Sequence, residues 1–186
     1  MNRTIRIAAA LVVAALWAGT AAQAQTLSNI GNITLNASAA QTLTVSVTSG
    51  STVNFTLAQG AAAAGDVSPA ISTSWNLNPG LTGAVTLFGY FNTPSAALTD
   101  GTYDIAATYV KGRMTTGSVA TYTAFTQTNA VGPASGSLLL FTEAITGANK
   151  IKTRSDNLDL QIDLAGSPTV PASSYTGTLR VQARAL

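Results

Sequence analysis

The sequence predicts an all-β fold, an antiparallel β-sandwich of the immunoglobulin-like or Greek-key kind with about eight to ten strands. Two patterns support this prediction. Short runs in which apolar and polar residues alternate recur about every ten residues, as expected for strands that bury one face. Clusters of Gly, Pro, Asn and Ser separate these runs, and no stretch beyond residue 24 keeps the 3.6-residue apolar period of an amphipathic helix.

The start of the chain predicts a secretory signal peptide. Arg3 and Arg6 provide positive charge, residues 7–17 are almost entirely apolar, and the sequence AQA at 22–24 offers the small residues of a cleavage site. We therefore expect residues 1–24 to be removed and residues 25–186 to form a single domain. Its predicted location is extracellular or on the cell surface, with the periplasm as the alternative.

The predicted exported part is formally neutral. The chain has nine Lys and Arg residues and seven Asp and Glu residues, and two of the basic residues lie in the predicted leader. Binding to nucleic acid requires a clustered excess of cations, so we expect no nucleic-acid partner, and no membrane insertion after cleavage. The short basic run at 150–154 is interpreted as a solvated strand edge or loop.

The first two strands are predicted between residues 43 and 57. Residues 43–47 and 53–57 both alternate in polarity, and Ser-Gly-Ser stands between them. We interpret the two runs as a β-hairpin. The segment AAAAGD at 61–66 is too short to be a stable helix and is interpreted as a loop.

Two further strands follow. Residues 71–77 place Ile71, Thr73 and Trp75 on one face, and Asn-Pro-Gly at 78–80 predicts a turn. Another strand begins at Val85.

The second half of the chain repeats this logic. Residues 103–109 and 119–125 alternate after turn signals, and residues 136–145 form the continuous apolar run expected of a strand buried on both faces. Residues 157–164 place their leucines and isoleucine inward and their acidic residues outward. The last strand is predicted within residues 175–183.

Groups that usually carry catalysis are missing from the composition. The chain contains no histidine and no cysteine, which removes the common general base, the thiolate nucleophile and the commonest ligands of zinc, copper and haem. The three lysines, Lys111, Lys150 and Lys152, stand in no nucleophile motif. We therefore expect no enzyme activity, no cofactor and no metal.

Carboxylates deserve a separate test, because glycoside hydrolysis needs only two of them. Asp159 and Asp163 share a face of one predicted strand, but about 3.3 Å per residue separates their backbones by roughly 13 Å, beyond the ~5 to 9.5 Å of such catalysis. The segment RSDNLD at 154–159 offers oxygen ligands for calcium, but it lacks the spacing of an EF-hand loop. A hydrolase would require distant acids to converge in a cleft.

Aromatic residues raise an alternative function, a monomeric secreted or cell-surface module that binds a carbohydrate or adhesion ligand. That function requires an exposed aromatic cluster including Tyr90, Phe91 or Tyr109. Trp75 is in phase with the apolar residues of 71–77, which predicts a core tryptophan instead.

Both ends of the predicted exported chain contain strand-like segments. The closing strand either covers an edge of its own sandwich or completes the sheet of a neighbour. Residues 25–36 are either a flexible donor arm or the first strand. The candidate subunit-contact residues are Ile30, Ile33, Leu35, Leu179 and Val181.

The leader, the Thr-, Ser-, Ala- and Gly-rich strands and the closing VPASSYTGTLRVQARAL resemble secreted bacterial fimbrial-type and spore-coat-U-like β-sandwich proteins. Such domains often finish with a proline, a Y-x-G turn into the last strand and a short apolar terminus. The chain departs from the chaperone–usher pilins in lacking their disulfide. The resemblance implies an extracellular structural subunit of a pilus, filament or coat that self-associates through strand pairing or donation.

Overall fold

A computed structural model describes residue 30, residues 32–167 and residues 169–186. The predicted signal peptide at 1–24 lies outside the described residues, as do positions 25–29 and 31 of the predicted arm. The described chain is an all-β antiparallel sandwich, which confirms the predicted fold class. All of its strands lie within the unit formed by residues 39–186.

The described residues form twelve strands, several of them only two or three residues long. They are β1 (Thr42–Ser49), β2 (Ala62–Ala64), β3 (Ala70–Asn76), β4 (Ala84–Tyr90), β5 (Leu98–Thr99), β6 (Asp104–Ile105), β7 (Val110–Arg113), β8 (Thr123–Ala124), β9 (Ser137–Ala144), β10 (Ile151–Asn157), β11 (Asp159–Asp163) and β12 (Arg180–Ala185). Two single-turn 3-10 helices, Pro94–Ala96 and Ala107–Tyr109, stand between them.

One layer of the sandwich is built from two successive sheets, ordered β1-β3-β10 and β2-β11-β7-β8. The chain passes from one sheet to the other at Leu158, whose amide donates to the carbonyl of Pro69. Gly65 likewise donates to the carbonyl of Leu160. The second layer is the sheet β12-β4-β9, and a two-stranded ribbon, β5-β6, lies apart from it.

The predicted hairpin of residues 43–47 and 53–57 is wrong. β1 pairs with β3, from Thr42 opposite Asn76 to Ser49 opposite Ala70. The chain then continues beside the segment that leads into β3, where the amide of Asp66 donates to the carbonyl of Asn54 over 3.0 Å. Gly50, with φ of +65°, kinks the chain at this point and does not reverse it.

Three further local predictions are also wrong. Residues 61–66, interpreted as a loop, contain β2, because pairing with β11 overrides the low strand propensity of alanine. Residues 103–109 and 119–125 contribute only β6 and β8. In the first of these, Tyr109 donates to the carbonyl of Ala106 and closes a 3-10 turn, which ends the alternation after Ile105.

The longer apolar patterns are confirmed. Ile71, Thr73, Trp75 and Leu77 are all buried, as are Leu158, Leu160, Ile162 and Leu164. The predicted core position of Trp75 is therefore correct, and its indole nitrogen donates to the carbonyl of Asn149 over 2.8 Å. In β9, Leu138, Leu140 and Phe141 are buried.

Phe125 joins the two layers at the centre of the core. Its side chain is fully buried and packs edge-to-face on Phe91, with ring centroids 5.3 Å apart. A Cβ atom added at Gly89 of β4 or Gly112 of β7 would lie about 3 Å from the Phe125 ring. Glycine at these positions therefore makes room for the ring between the layers.

Truncating this ring tests the core. We expect Phe125→Ala to lower the free energy of unfolding by about 3–5 kcal/mol, because it leaves a cavity between two layers that cannot close. Urea denaturation of residues 25–186 measures the change. Tyr103→Ala, which removes a half-exposed ring, is the control and should cost less than about 1 kcal/mol. Equal losses in the two variants would contradict this description of the core.

Candidate functional site

A long groove opens on one side of the sandwich. Its volume is about 1020 Å³, at the upper end of the roughly 300–1,000 Å³ that small-molecule sites occupy. It runs between two extended segments, residues 50–59 and residues 170–181, and the core strands form its floor. The groove is therefore shaped by two stretches of backbone and not by a cluster of reactive groups.

The first wall is the continuation of β1. Val53, Phe55 and Leu57 alternate along it and pack against the core, while the residues between them are exposed. Within the described chain, Asn54 is the only residue of 51–57 whose backbone is hydrogen-bonded. The remaining backbone groups of this wall are left without a protein partner there.

The contact between Asn54 and Asp66 holds this wall in place. The backbone amide of Asn54 donates to Oδ1 of Asp66 and its side-chain amide donates to Oδ2, both over 2.8 Å. These hydrogen bonds, the one from the side chain first, hold the pKa of Asp66 below its ordinary value of 3.8. The ionised carboxylate of Asp66 therefore holds the wall more strongly than the protonated form does.

The second wall leads into β12. Tyr175, Leu179 and Val181 alternate along it and pack against the core. Thr176 exchanges two backbone hydrogen bonds of 2.9 Å with Thr99 of β5. A Cβ atom at Gly177 would lie 2.0 Å from the carbonyl oxygen of Ala97, so glycine lets this wall approach its support closely.

Each end of the groove is bounded by the fold itself. At one end the amide of Val170 donates to Oε1 of Gln59 over 2.9 Å, which links the two walls. At the other end β1 and β12 approach each other. The groove is thus a gap of limited length within the side of the sandwich.

The floor of the groove is apolar and its described lining is uncharged, although the two walls also contribute Ser, Thr, Asn and Gln residues. Its floor includes Ile71, Phe91, Val110, Leu160 and Ile162, all of them buried core residues. None of the described residues that line it is Asp, Glu, Lys or Arg. Such a surface favours a neutral occupant that brings its own backbone donors and acceptors.

The structure separates the five predicted subunit-contact residues into two groups. Leu179 and Val181 line the groove as part of its second wall. Ile30, Ile33 and Leu35 are exposed at 87%, 86% and 88%, and residues 32–41 form no strand. Of the two alternatives for residues 25–36, donor arm or first strand, the described positions are therefore not part of any sheet.

The sequence analysis missed most of the groove. It identified the alternation of Val53, Phe55 and Leu57 but assigned it to a hairpin, so the free edge of this segment was not expected. The hydrogen bonds of Asn54 to Asp66 and of Val170 to Gln59 had no signal in the sequence. A polar residue opposite a turn-forming Asp-Val-Ser is too common a pattern to predict a contact.

The aromatic residues named for a ligand-binding module lie at different depths. Phe91 is buried against Phe125, and Tyr90 is half-buried with its hydroxyl 3.3 Å from Oε1 of Gln182. Tyr109 is half-buried and packs against the core. Tyr103 is about half exposed.

The acidic residues are engaged in separate contacts. Asp159 accepts from Ser68 and Arg113, and Asp163 accepts from Lys111 over 2.6 Å. These contacts lower the pKa of both carboxyls. Asp156, in the segment considered for calcium, pairs with Arg154.

Two absences apply to the described residues only. They contain no group of three or more acidic, histidine or cysteine side chains placed to hold a metal ion. Within the same residues, no helix is long and apolar enough to cross a membrane. The basic run at 150–154 lies partly on the edge strand β10, as predicted, but Arg154 is largely buried.

No protein-family model, curated protein or solved structure showed significant similarity to the chain. The interpretation of the groove therefore rests on its geometry alone.

Removing the carboxylate of Asp66 should loosen the first wall. In Asp66→Ala we expect faster exchange of the Asn54 amide, the one amide of residues 51–57 with a protein acceptor in the described part of the chain, and little change in β3 or β4, because the backbone and side-chain amides of Asn54 both lose their acceptors. Hydrogen–deuterium exchange with mass spectrometry measures this. Asp104→Ala, another exposed aspartate, is the control. Unchanged exchange in residues 51–57 would show that the Asp66 contact does not hold the wall.

Acid should produce the same loosening in the unchanged chain. The pKa of Asp66 is lowered in the fold, so its contribution is complete above the ordinary value of 3.8 and is lost as the pH falls through the lower folded value. Exchange within residues 51–57, corrected for intrinsic rates, should rise over that interval. In Asp66→Ala the rise should be absent.

Proposed function

We propose that the protein is an extracellular structural subunit of a bacterial pilus, filament or coat, and that it assembles by strand donation. Residues 25–36 of one copy would lie as an extended strand in the groove of the next. The observation that carries this proposal is the groove itself, in which two nearly unpaired backbone edges face an apolar floor.

Backbone hydrogen bonding supports a strand as the occupant. A small apolar molecule would cover the floor but leave the amides and carbonyls of both walls unpaired. An extended peptide supplies donors and acceptors along its whole length, and its alternate side chains can reach the floor. The occupant that satisfies both the walls and the floor is therefore a β-strand.

Length also supports residues 25–36 as the donor. The first wall, residues 51–57, spans roughly 23 Å at about 3.3 Å per residue. A donor of twelve residues can reach about 40 Å at the same rise. The arm is therefore long enough to fill the groove and retain several residues as a linker.

The apolar side chains of the arm lie mainly on one face of an extended strand, as contact with the floor of the groove requires. Ile33 and Leu35 are two residues apart and share a face of an extended strand, and Leu27 has the same phase in the sequence. Ile30 falls on the opposite face if the strand is regular. We therefore assign Ile33 and Leu35 to the floor of the groove and Ile30 to its open side.

Charge supports the same pairing. Residues 25–41 contain no charged side chain, and no described lining residue of the groove carries a charge. Burying the arm would then require no charge to be dehydrated. A neutral donor and a neutral acceptor also associate without the salt dependence of an electrostatic contact.

The C-terminal strand is the weaker candidate for donation. β12 is paired along its length with β4, from Arg180 opposite Tyr90 to Ala185 opposite Val85. Its side chains Leu179 and Val181 belong to the groove wall and pack on the core. Donating this strand would dismantle the acceptor, whereas donating residues 25–36 would leave the described sheets intact.

Placing a charge on the inward face of the arm tests the proposal. We expect Ile33→Asp combined with Leu35→Asp to abolish polymers of residues 25–186, because two carboxylates would be buried unpaired in the groove. Thr34→Asp adds a charge to the same arm on its other face and is the matched control. Negative-stain microscopy and sedimentation velocity measure polymers. Polymers that persist in the double variant would contradict donation by this arm.

A peptide experiment tests the groove independently of polymer formation. A synthetic peptide of residues 25–36 should bind the chain that lacks these residues and raise its free energy of unfolding by about 2.7 kcal/mol at a hundredfold excess over the dissociation constant. Exchange protection should appear in residues 51–57 and 170–179. A peptide with Ile33→Asp and Leu35→Asp is the control. Equal effects of the two peptides, or none, would refute the groove as the acceptor.

A further inference from the structure

The opposite side of the sandwich is also formed by two edge strands, β9 of one layer and β10 of the other. Four charged side chains lie along it, and we call this group the edge seam: Glu143, Lys152, Arg154 and Asp156. The two sides can therefore be compared directly, since each is a boundary between the same two layers.

The edge seam lies on the inner face of the sheets, where Glu143, Arg154 and Asp156 are mostly buried and the Lys152 side chain remains 42% exposed. Residues directly opposite each other on paired strands share a face. Lys152, Arg154 and Asp156 lie opposite Trp75, Thr73 and Ile71, all of which are buried. Glu143 lies opposite Val85, which is fully buried as well.

Contacts within the edge seam are close and mostly shielded from water. Arg154 holds Asp156 through two hydrogen bonds of 2.6 and 2.8 Å, and its guanidinium lies 4.3 Å from the centre of the Phe141 ring. Lys152 and Arg154 both pair with Glu143. The Asp156 side chain is only 2% exposed. The ion pairs of Lys152 and Arg154 with Glu143 connect β10 to β9 across the boundary.

A loop completes the closure beside these charges. The hydroxyl of Thr116 donates to Asp156, and Arg154 donates to the carbonyl of Thr116. The amide of Ser118 donates to the carbonyl of Leu140 in β9 over 2.7 Å. Residues 116–118 thus cover part of the boundary, and the edge seam occupies the rest.

We propose that the edge seam keeps the β9–β10 side closed to strand addition, so that a second copy of this chain cannot extend the sandwich from that side. A strand added to β10 would bury three inward charges more deeply. Inward-pointing charges are one means by which sheet edges avoid pairing with other chains. The inference is independent of the arm and holds whether or not the groove accepts it.

Stability alone does not account for the edge seam. Replacing a buried ion pair by well-packed apolar residues is often neutral or stabilising, so we do not expect these four charges to make the fold more stable than apolar side chains would. The four charges do make the β9–β10 side different from the groove side. On the same inner face, β1 carries Leu43, Val45 and Val47, whereas the opposite edge of the sheet carries only charged residues.

The experiment replaces the edge seam with apolar side chains. The parent is residues 25–186 with Ile33→Asp and Leu35→Asp, so that the arm does not contribute to association. The seam variant adds Glu143→Gln, Lys152→Val, Arg154→Met and Asp156→Leu. A milder variant adds only Glu143→Gln and Lys152→Val, which leaves the buried Arg154–Asp156 pair intact and protects against a failure to fold.

The control removes one ion pair from the outer face of interior strands. Lys111→Met with Asp163→Leu does so on β7 and β11, both of which already have neighbours on each side. Sedimentation velocity measures self-association, and hydrogen–deuterium exchange locates it. We expect both seam variants to self-associate with a dissociation constant at least about tenfold lower than the parent, with slower exchange in Ile151–Asn157. The control should match the parent.

Seam variants that fold but associate no more than the parent and the control would overturn the inference. So would association whose exchange protection lies outside β9 and β10. Neither result depends on the arm, because all of these chains carry the same arm substitutions. Failure of strand donation would instead appear as persistent polymers in the parent.

Discussion

The unpaired backbone along the groove is the constraint on which the rest of this structure depends. A buried amide or carbonyl without a partner costs free energy comparable to a lost hydrogen bond. Residues 51–57 and the segment before β12 keep backbone groups without a protein partner beside an apolar floor, and covering them with an apolar molecule would bury them unpaired. Water can form hydrogen bonds with the backbone of the walls but makes no favourable contact with the apolar floor. A small apolar ligand would contact the floor but leave the backbone groups without hydrogen bonds. The surface is satisfied fully only by another extended chain.

The two edges of the sheet β1-β3-β10 carry different side chains on its inner face, as each row of paired residues shows. Leu43, Trp75 and Lys152 form one rung, and Val45, Thr73 and Arg154 form the next. Each rung runs from an apolar side chain at one edge to a charged side chain at the other. Adding an apolar strand would therefore be favourable at the β1 edge of this layer and unfavourable at the β10 edge, where it would bury charges. Directional assembly needs such a difference, because two equally receptive edges would permit branching and sheet-to-sheet aggregation.

Sequence patterns predicted the elements of this fold better than their pairing. Residues 71–77 and 157–164 were correctly oriented because their apolar period of two is long and uninterrupted, and burial of one face follows from it. The alternation at 43–57 was equally clear, yet nothing local specifies that β1 pairs with β3 and not with the next segment. Gly50 is compatible with a turn and with a kink, and the choice is made by the distant contacts of Ala70 and Asp66. The groove could not be predicted from the sequence, because an edge is free only when no distant segment pairs with it, and local patterns do not report distant pairing.

The unpaired backbone along the groove also bears on how the amino-acid composition is interpreted. With no cysteine in the chain, no disulfide can compensate for a core that is open along one side, so stabilisation has to come from burial or from association. Association through a donated strand would add free energy in proportion to occupancy of the groove, and it would do so without any reactive group. The absence of charged side chains from residues 25–41 is compatible with this proposal, because an arm that moved between water and an apolar groove would be best built from small polar and apolar residues. Three of the remaining charged residues, Lys152, Arg154 and Asp156, lie on the inward face of β10, where we propose that no strand is added.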